Sequence, residues 1–125
     1  MTDKSPVVLC IDDDPDILTY LQTVLEAEGY AFTGAGSAEE GLRLYDEVEP
    51  DVIIVDLMME EVDSGTGFVK DLRLRSPVPP VFLLSSVGDN LSQTTDYAAL
   101  GLAGVFQKPL NRKQLLSLLK AKLTV

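Results

Sequence analysis

Several side chains able to do chemistry stand directly behind short apolar runs in this sequence. Asp12-Asp13-Asp14 follows Val7 to Ile11, Asp56 follows Val52-Ile53-Ile54-Val55, Ser85 follows Val81 to Leu84, and Lys108 comes just after Val105-Phe106. Carboxylates gathered at one point repel each other and do not all stay ionised without a cation. A hard, oxygen-seeking divalent ion meets that need, and carboxylate-plus-water coordination favours Mg²⁺. Lysine would add fixed positive charge and serine a hydroxyl donor. Such a set suits phosphoryl transfer, with a carboxylate as nucleophile and the cations neutralising charge on the moving group. The chain has no histidine, so the commonest general base and the commonest transition-metal ligand are missing. A carboxylate nucleophile is already deprotonated and needs neither.

These residues must be brought together by the elements that carry them. The sequence alternates β-branched runs with amphipathic stretches. Val7 to Ile11 reads as a buried strand, and Asp14-Pro15 as a helix start with a carboxylate N-cap and proline in the first turn. Ile17, Leu18, Leu21, Val24 and Leu25 follow at helical spacing until Gly29. Tyr30 to Ala35 reads as a weaker strand. Ser37 and Glu40 form a capping box for a second helix that stops before Pro50. Asp51 to Val55 is the most apolar strand, as the middle of a parallel sheet requires. A loop over 57–64 leads to a helix with Phe68, Val69 and Leu72; then come a strand from Val81 to Leu84, a polar stretch from Gly88 to Thr95 and a short helix ending near Gly101. Val105-Phe106 is a last short strand, and Asn111 with Gln114 opens the final helix.

Five strands alternating with five helices predict an α/β domain, a doubly wound five-stranded parallel sheet with helices on both faces. Ligands in such folds bind outside the carboxyl ends of the strands, where the aspartates, Ser85 and Lys108 fall. The second strand ends without a polar side chain, at Gly34 to Gly36.

Composition bounds the rest. The length, 125 residues, fits one domain spanning 1–125, with no linker and no second domain visible. Twenty acidic against ten basic residues give a net charge of −10, which argues against direct nucleic-acid contact. No apolar run approaches membrane-spanning length, and the single cysteine, Cys10, lies inside an apolar run as a packed thiol; a cytoplasmic location is the expectation.

Four motifs in order now carry a resemblance over essentially the whole chain. Val8-Leu9-Cys10-Ile11-Asp12-Asp13-Asp14-Pro15, Val52 to Met59 with Asp56, Leu84-Ser85-Ser86 and Phe106-Gln107-Lys108-Pro109 resemble the response-regulator receiver family of two-component signalling. The resemblance implies a flavodoxin-like (βα)5 fold with strand order 2-1-3-4-5. It implies that Asp56 accepts a phosphoryl group from a histidine kinase or histidine phosphotransfer protein. Asp12, Asp13, Asp56 and the backbone carbonyl of Met58 would hold Mg²⁺, Lys108 would contact the phosphoryl oxygens, and Ser85 would hydrogen-bond them. The product would be a switch acting on a downstream protein, with a phosphorylation-dependent homodimer as one outcome, and not a turnover enzyme. Asp14 is assigned to the helix cap.

Three departures from the family pattern stand out. The loop after Asp56 lacks the usual proline and carries Glu60, Glu61 and Asp63. Val105 occupies the customary aromatic position, while Phe106 should face the other side of its strand. Met58 and Val87 are apolar where the family flanks the path of hydrolytic water, which predicts a slow loss of the phosphoryl group. Two other classes compete. A haloacid-dehalogenase-like phosphatase would use Asp12 as its nucleophile but leaves Asp56 unexplained. A flavodoxin-like cofactor binder needs a glycine- or hydroxyl-rich phosphate loop where this chain has three aspartates.

Overall fold

The computed structural model describes residues 5–56, 79–85, 104–107 and 111–123. Its elements are β1 (Val7–Ile11), α1 (Pro15–Ala27), β2 (Ala31–Ala35), α2 (Ala38–Val48), β3 (Val52–Asp56), β4 (Val81–Ser85), β5 (Gly104–Gln107) and α3 (Arg112–Leu123). The strands form one sheet in the order β2-β1-β3-β4-β5, with every neighbouring pair parallel. The two remaining expected helices, around Phe68 and before Gly101, lie outside the described residues.

Strand alternation divides the core into two layers. Val8, Cys10, Val52, Ile54, Phe82, Leu84 and Phe106 pack on one face against Leu21, Val24 and Leu25 of α1 and Leu115 and Leu119 of α3. Leu9, Ile11, Ile53, Val55, Val81 and Leu83 pack on the other face, against Ala38, Leu42, Leu44 and Tyr45 of α2. A sheet with both faces covered needs continuous apolar strands, and every residue of β3 is buried. Phe82 and Phe106 stack with ring centroids 5.0 Å apart, a pairing worth about 1 kcal/mol beyond its burial.

The helix ends follow from local chemistry. The Asp14 carboxylate accepts from the Asp16 N–H at 2.9 Å and caps α1, which continues through Pro15. At its other end Gly29 takes φ +91°, a left-handed conformation that suits glycine. The Gly29 N–H donates to the Glu26 carbonyl and the Tyr30 N–H to the Leu25 carbonyl, the paired bonds that satisfy a helix C-terminus. Ser37 Oγ accepts from the Glu40 N–H at 3.1 Å, and Asn111 Oδ1 from the Gln114 N–H at 3.0 Å, so both N-caps form, while the Glu40 carboxylate reaches back to the Gly36 N–H, one residue before the N-cap of an ideal capping box.

The third strand begins one residue later than the sequence pattern suggests. Asp51 stays outside it because its carboxylate accepts from the Val7 N–H at 2.7 Å while its own N–H donates to the Val7 carbonyl at 2.8 Å. That reciprocal clasp ties the amino ends of β1 and β3 together. The strand therefore runs to Asp56 itself.

Candidate functional site

Sheet register builds the site. Ile11 pairs with Val55, so the next residues along, Asp12 and Asp56, stand level at the carboxyl ends of adjacent central strands. By alternation both continue the face that carries Cys10 and Ile54. Carboxylate oxygens of Asp12, Asp13 and Asp56 all lie within 4.8 Å of one another. Asp12 is fully buried, Asp56 is 3 % exposed, and Asp13 opens to solvent.

Two hydrogen bonds fix Asp12. Its backbone N–H donates to the Ala35 carbonyl at 3.0 Å, and its Oδ1 accepts from the Asp14 N–H at 2.9 Å. Asp14 is thus turned away into the α1 cap, as its assignment required, and the ligand-type cluster consists of the other three aspartates. Full charges at this spacing repel by about 3 kcal/mol per pair at an effective dielectric near 20. Hard anionic oxygens, two of them on buried residues and one on an exposed residue, suit a hard divalent cation that keeps part of its water shell. The donor set fits Mg²⁺.

Cys10 lies two residues before Asp12 on the same strand. Burial, and then the negative charge of Asp12, push its thiol far above the ordinary range. It stays protonated and packed, not nucleophilic.

Asp56 pairs with Leu84, which sets the backbone of Ser85 one step beyond the level of Asp56 at the end of β4, opposite Gln107. The Ser85 side chain, and the whole of Met58, Lys108, Met59, Glu60, Glu61, Asp63 and Val87, lie outside the described residues. For Val105 only the backbone is described; it pairs with Leu83. Phe106 is buried in the layer that holds Phe82 and Leu84. The Ala35 carbonyl is the participant that sequence reasoning missed. No side-chain signal marks it, since a backbone acceptor can be recognised only once β1 and β2 are in register.

Strand-end carboxylates on a doubly wound parallel sheet suit α/β domains that bind a ligand or cation outside the carboxyl ends of their strands. Comparison with known proteins narrows this class. The family model of the response regulator receiver domain matches residues 8–120. The probable transcriptional regulator ycf27 of Guillardia theta is 35 % identical over 116 residues, covering 93 % of this chain and 44 % of that protein. The transcriptional regulatory protein GlrR of Escherichia coli is 34 % identical over 118 residues, covering 92 % of this chain and 26 % of that protein. The chain therefore spans half or less of the length of these curated relatives. Among solved structures, the chemotaxis response regulator CheY4 of Vibrio cholerae superposes with a TM-score of 0.85 at 30 % identity, covering 96 % of this chain and all of that one. This chain belongs to the response regulator receiver domain family of two-component signalling.

Proposed function

We propose that Asp56 is the phosphoacceptor of a receiver switch, loaded from a phosphohistidine on a histidine kinase or histidine phosphotransfer protein. The observation that carries this is the buried Asp56 carboxylate at the end of the central strand, within 4.8 Å of Asp12 and Asp13, in a chain of the receiver family. A carboxylate oxygen of Asp56 attacks phosphorus as the phosphorus–nitrogen bond of the donor breaks. The imidazole leaves with the bonding pair and takes a proton from solvent. Burial of Asp56 keeps bulk water away from the nucleophile. Asp12, Asp13 and Asp56, with the Met58 carbonyl, would hold Mg²⁺. When bound there, the ion supplies positive charge against both the carboxylates and the incoming phosphoryl oxygens.

Lys108 and Ser85 are assigned to the phosphoryl oxygens on the strength of the family motif and of the β4 and β5 backbones that lead to them. The domain would be a phosphoacceptor that assists its own phosphorylation and dephosphorylation, not a turnover enzyme, and its seat would be the cytoplasm. Among the described residues no helix is long and apolar enough to cross a membrane. The partners are the phosphodonor and a downstream protein target, with phosphorylation-dependent self-association as one form of output. Residues 1–125 would act as a single receiver unit with five helices in all, the two undescribed ones included. The relatives' names tie them to transcription; an acidic receiver like this one would leave any nucleic acid to another module. Family membership supports this reading over a haloacid-dehalogenase-like phosphatase acting through Asp12.

The test is incubation with acetyl phosphate and Mg²⁺, followed by mapping of the acyl phosphate. One phosphoryl group on Asp56 is expected, with none on Asp56→Asn and a slowed gain on Asp12→Asn. Labelling of Asp12, or undiminished labelling of Asp56→Asn, would overturn the proposal.

A further inference from the structure

One peptide unit connects the aspartate cluster to a residue on a different helix. The carbonyl of Ala35 accepts from the Asp12 N–H at 3.0 Å, and the N–H of Gly36, in the same peptide plane, donates to Glu40 Oε1 at 2.9 Å. The other oxygen of the Glu40 carboxylate faces Arg43 at 3.6 Å, and the Glu40 N–H is itself held by Ser37 Oγ. An ionised acceptor on one side of a peptide polarises its carbonyl and strengthens the bond on the other side. It also fixes the rotation of the plane, and so the direction from which the Asp12 N–H must approach.

From this relay we infer that Glu40 is a positioning residue for Asp12, acting through the Ala35–Gly36 peptide on the cation affinity of the aspartate cluster. The capping box at the start of α2 then has two duties. It caps the first turn of the helix, and it sets the carboxyl end of β1 at the depth at which Asp12 can share an ion with Asp13 and Asp56. Glu40 touches neither the ion nor the phosphoryl group. The inference rests on the reading of Asp12 as a cation-holding residue.

The test uses the whole chain, with Mg²⁺ titrations followed by amide chemical shifts and with hydrogen exchange at the Asp12 N–H. In Glu40→Ala the Asp12 amide should exchange faster and Mg²⁺ affinity should fall by about tenfold, the lower end for residues that orient ligands without touching the metal. Glu40→Gln keeps an acceptor for Gly36 and should stay within about twofold of the parent in both measurements. Ser37→Ala weakens the same helix end while leaving the Gly36 bond in place; it should lose stability but keep the parent affinity. An affinity in Glu40→Ala equal to that of the parent overturns the inference. So does an equal fall in both Glu40 variants, which would mean that only the removed charge matters. If the parent shows no Mg²⁺ response while Asp12 exchange still depends on Glu40, the cation reading fails and the mechanical link stands.

Discussion

Replacing Asp14 separates helix capping from cation binding, because this carboxylate stands one residue beyond the cluster and makes a different bond. Its Oδ1 accepts the Asp16 N–H at 2.9 Å, one of the first-turn donors that α1 cannot satisfy internally. Loss of such a cap costs about 1 kcal/mol. A chain of this length has an unfolding entropy of about 0.26 kcal/mol per kelvin, so Asp14→Ala should lower the melting temperature by about 4 °C. Asp14→Asn retains the acceptor oxygen and loses only the interaction of charge with the helix dipole, roughly 0.3 kcal/mol or about 1 °C. Thermal unfolding followed by circular dichroism, once with a chelator and once with Mg²⁺, gives both readouts. At about a hundredfold excess over its dissociation constant, a bound ion adds roughly 2.7 kcal/mol, near 10 °C here. That increment should be the same in the parent and both Asp14 variants, and should collapse in Asp13→Asn. If Asp14→Asn abolishes the increment, Asp14 holds the ion and the cap assignment is wrong. If Asp14→Ala melts with the parent in chelator, the bond to Asp16 carries no stability.

Two other perturbations test the core beneath the site. Burial and Asp12 raise the folded-state affinity of the Cys10 thiol for its proton above that of the unfolded chain, where the ordinary value is 9.0. The folded state therefore keeps a proton that the unfolded state releases, so this contribution is complete below pH 9 and is lost as pH rises further. Urea unfolding at stepped pH should show the parent losing up to about 1.4 kcal/mol per pH unit relative to Cys10→Ala above that point. Tyr30, raised by burial and then by Glu28, has the same sign in both proteins and cancels; parallel curves for the two would refute the coupling. For Phe106→Leu, loss of the stack on Phe82 should cost about 1 to 2 kcal/mol, with acetyl-phosphate labelling of Asp56 retained; a loss of labelling without loss of stability would place Phe106 in the site instead.

The legible parts of this fold were those set by chain-local chemistry. Asp14-Pro15, Gly29, Ser37 with Glu40, and Asn111 with Gln114 each mark a helix end through bonds spanning a few residues, and each forms. The apolar runs marked the strands, and alternation within them assigned Phe106 to the face opposite Val105. The aspartate cluster was legible because ligand sites in such sheets lie at strand ends, so three of the named carboxylates needed only the sheet order to meet. Bonds between distant segments were not legible. The strand boundary at Asp51 depends on its clasp with Val7, forty-four positions away. The hold of Ala35 on Asp12 depends on the register of β1 against β2, which no pattern within either strand encodes.

That register also bears on how a signal could leave the site. Val105 stands where the family pattern has an aromatic ring, and among the described residues Phe106 is the neighbouring ring that could take over a turning motion. Its surroundings forbid it. Phe106 is 2 % exposed, stacked on Phe82 and packed in the layer that holds Leu115 and Leu119 of α3. Turning the ring outward would empty a cavity of its own size, at a cost comparable to the 3 to 5 kcal/mol of a phenylalanine truncated to alanine, roughly. Coupling between a site and a distant surface commonly amounts to about 1 to 3 kcal/mol. The cost exceeds the driving force, so Phe106 works as a fixed wall between β5 and α3. If Asp56 is phosphorylated as proposed, the signal among the described residues would pass through the backbone at the ends of β4 and β5, where Ser85 and Gln107 pair, and not through the Phe106 ring.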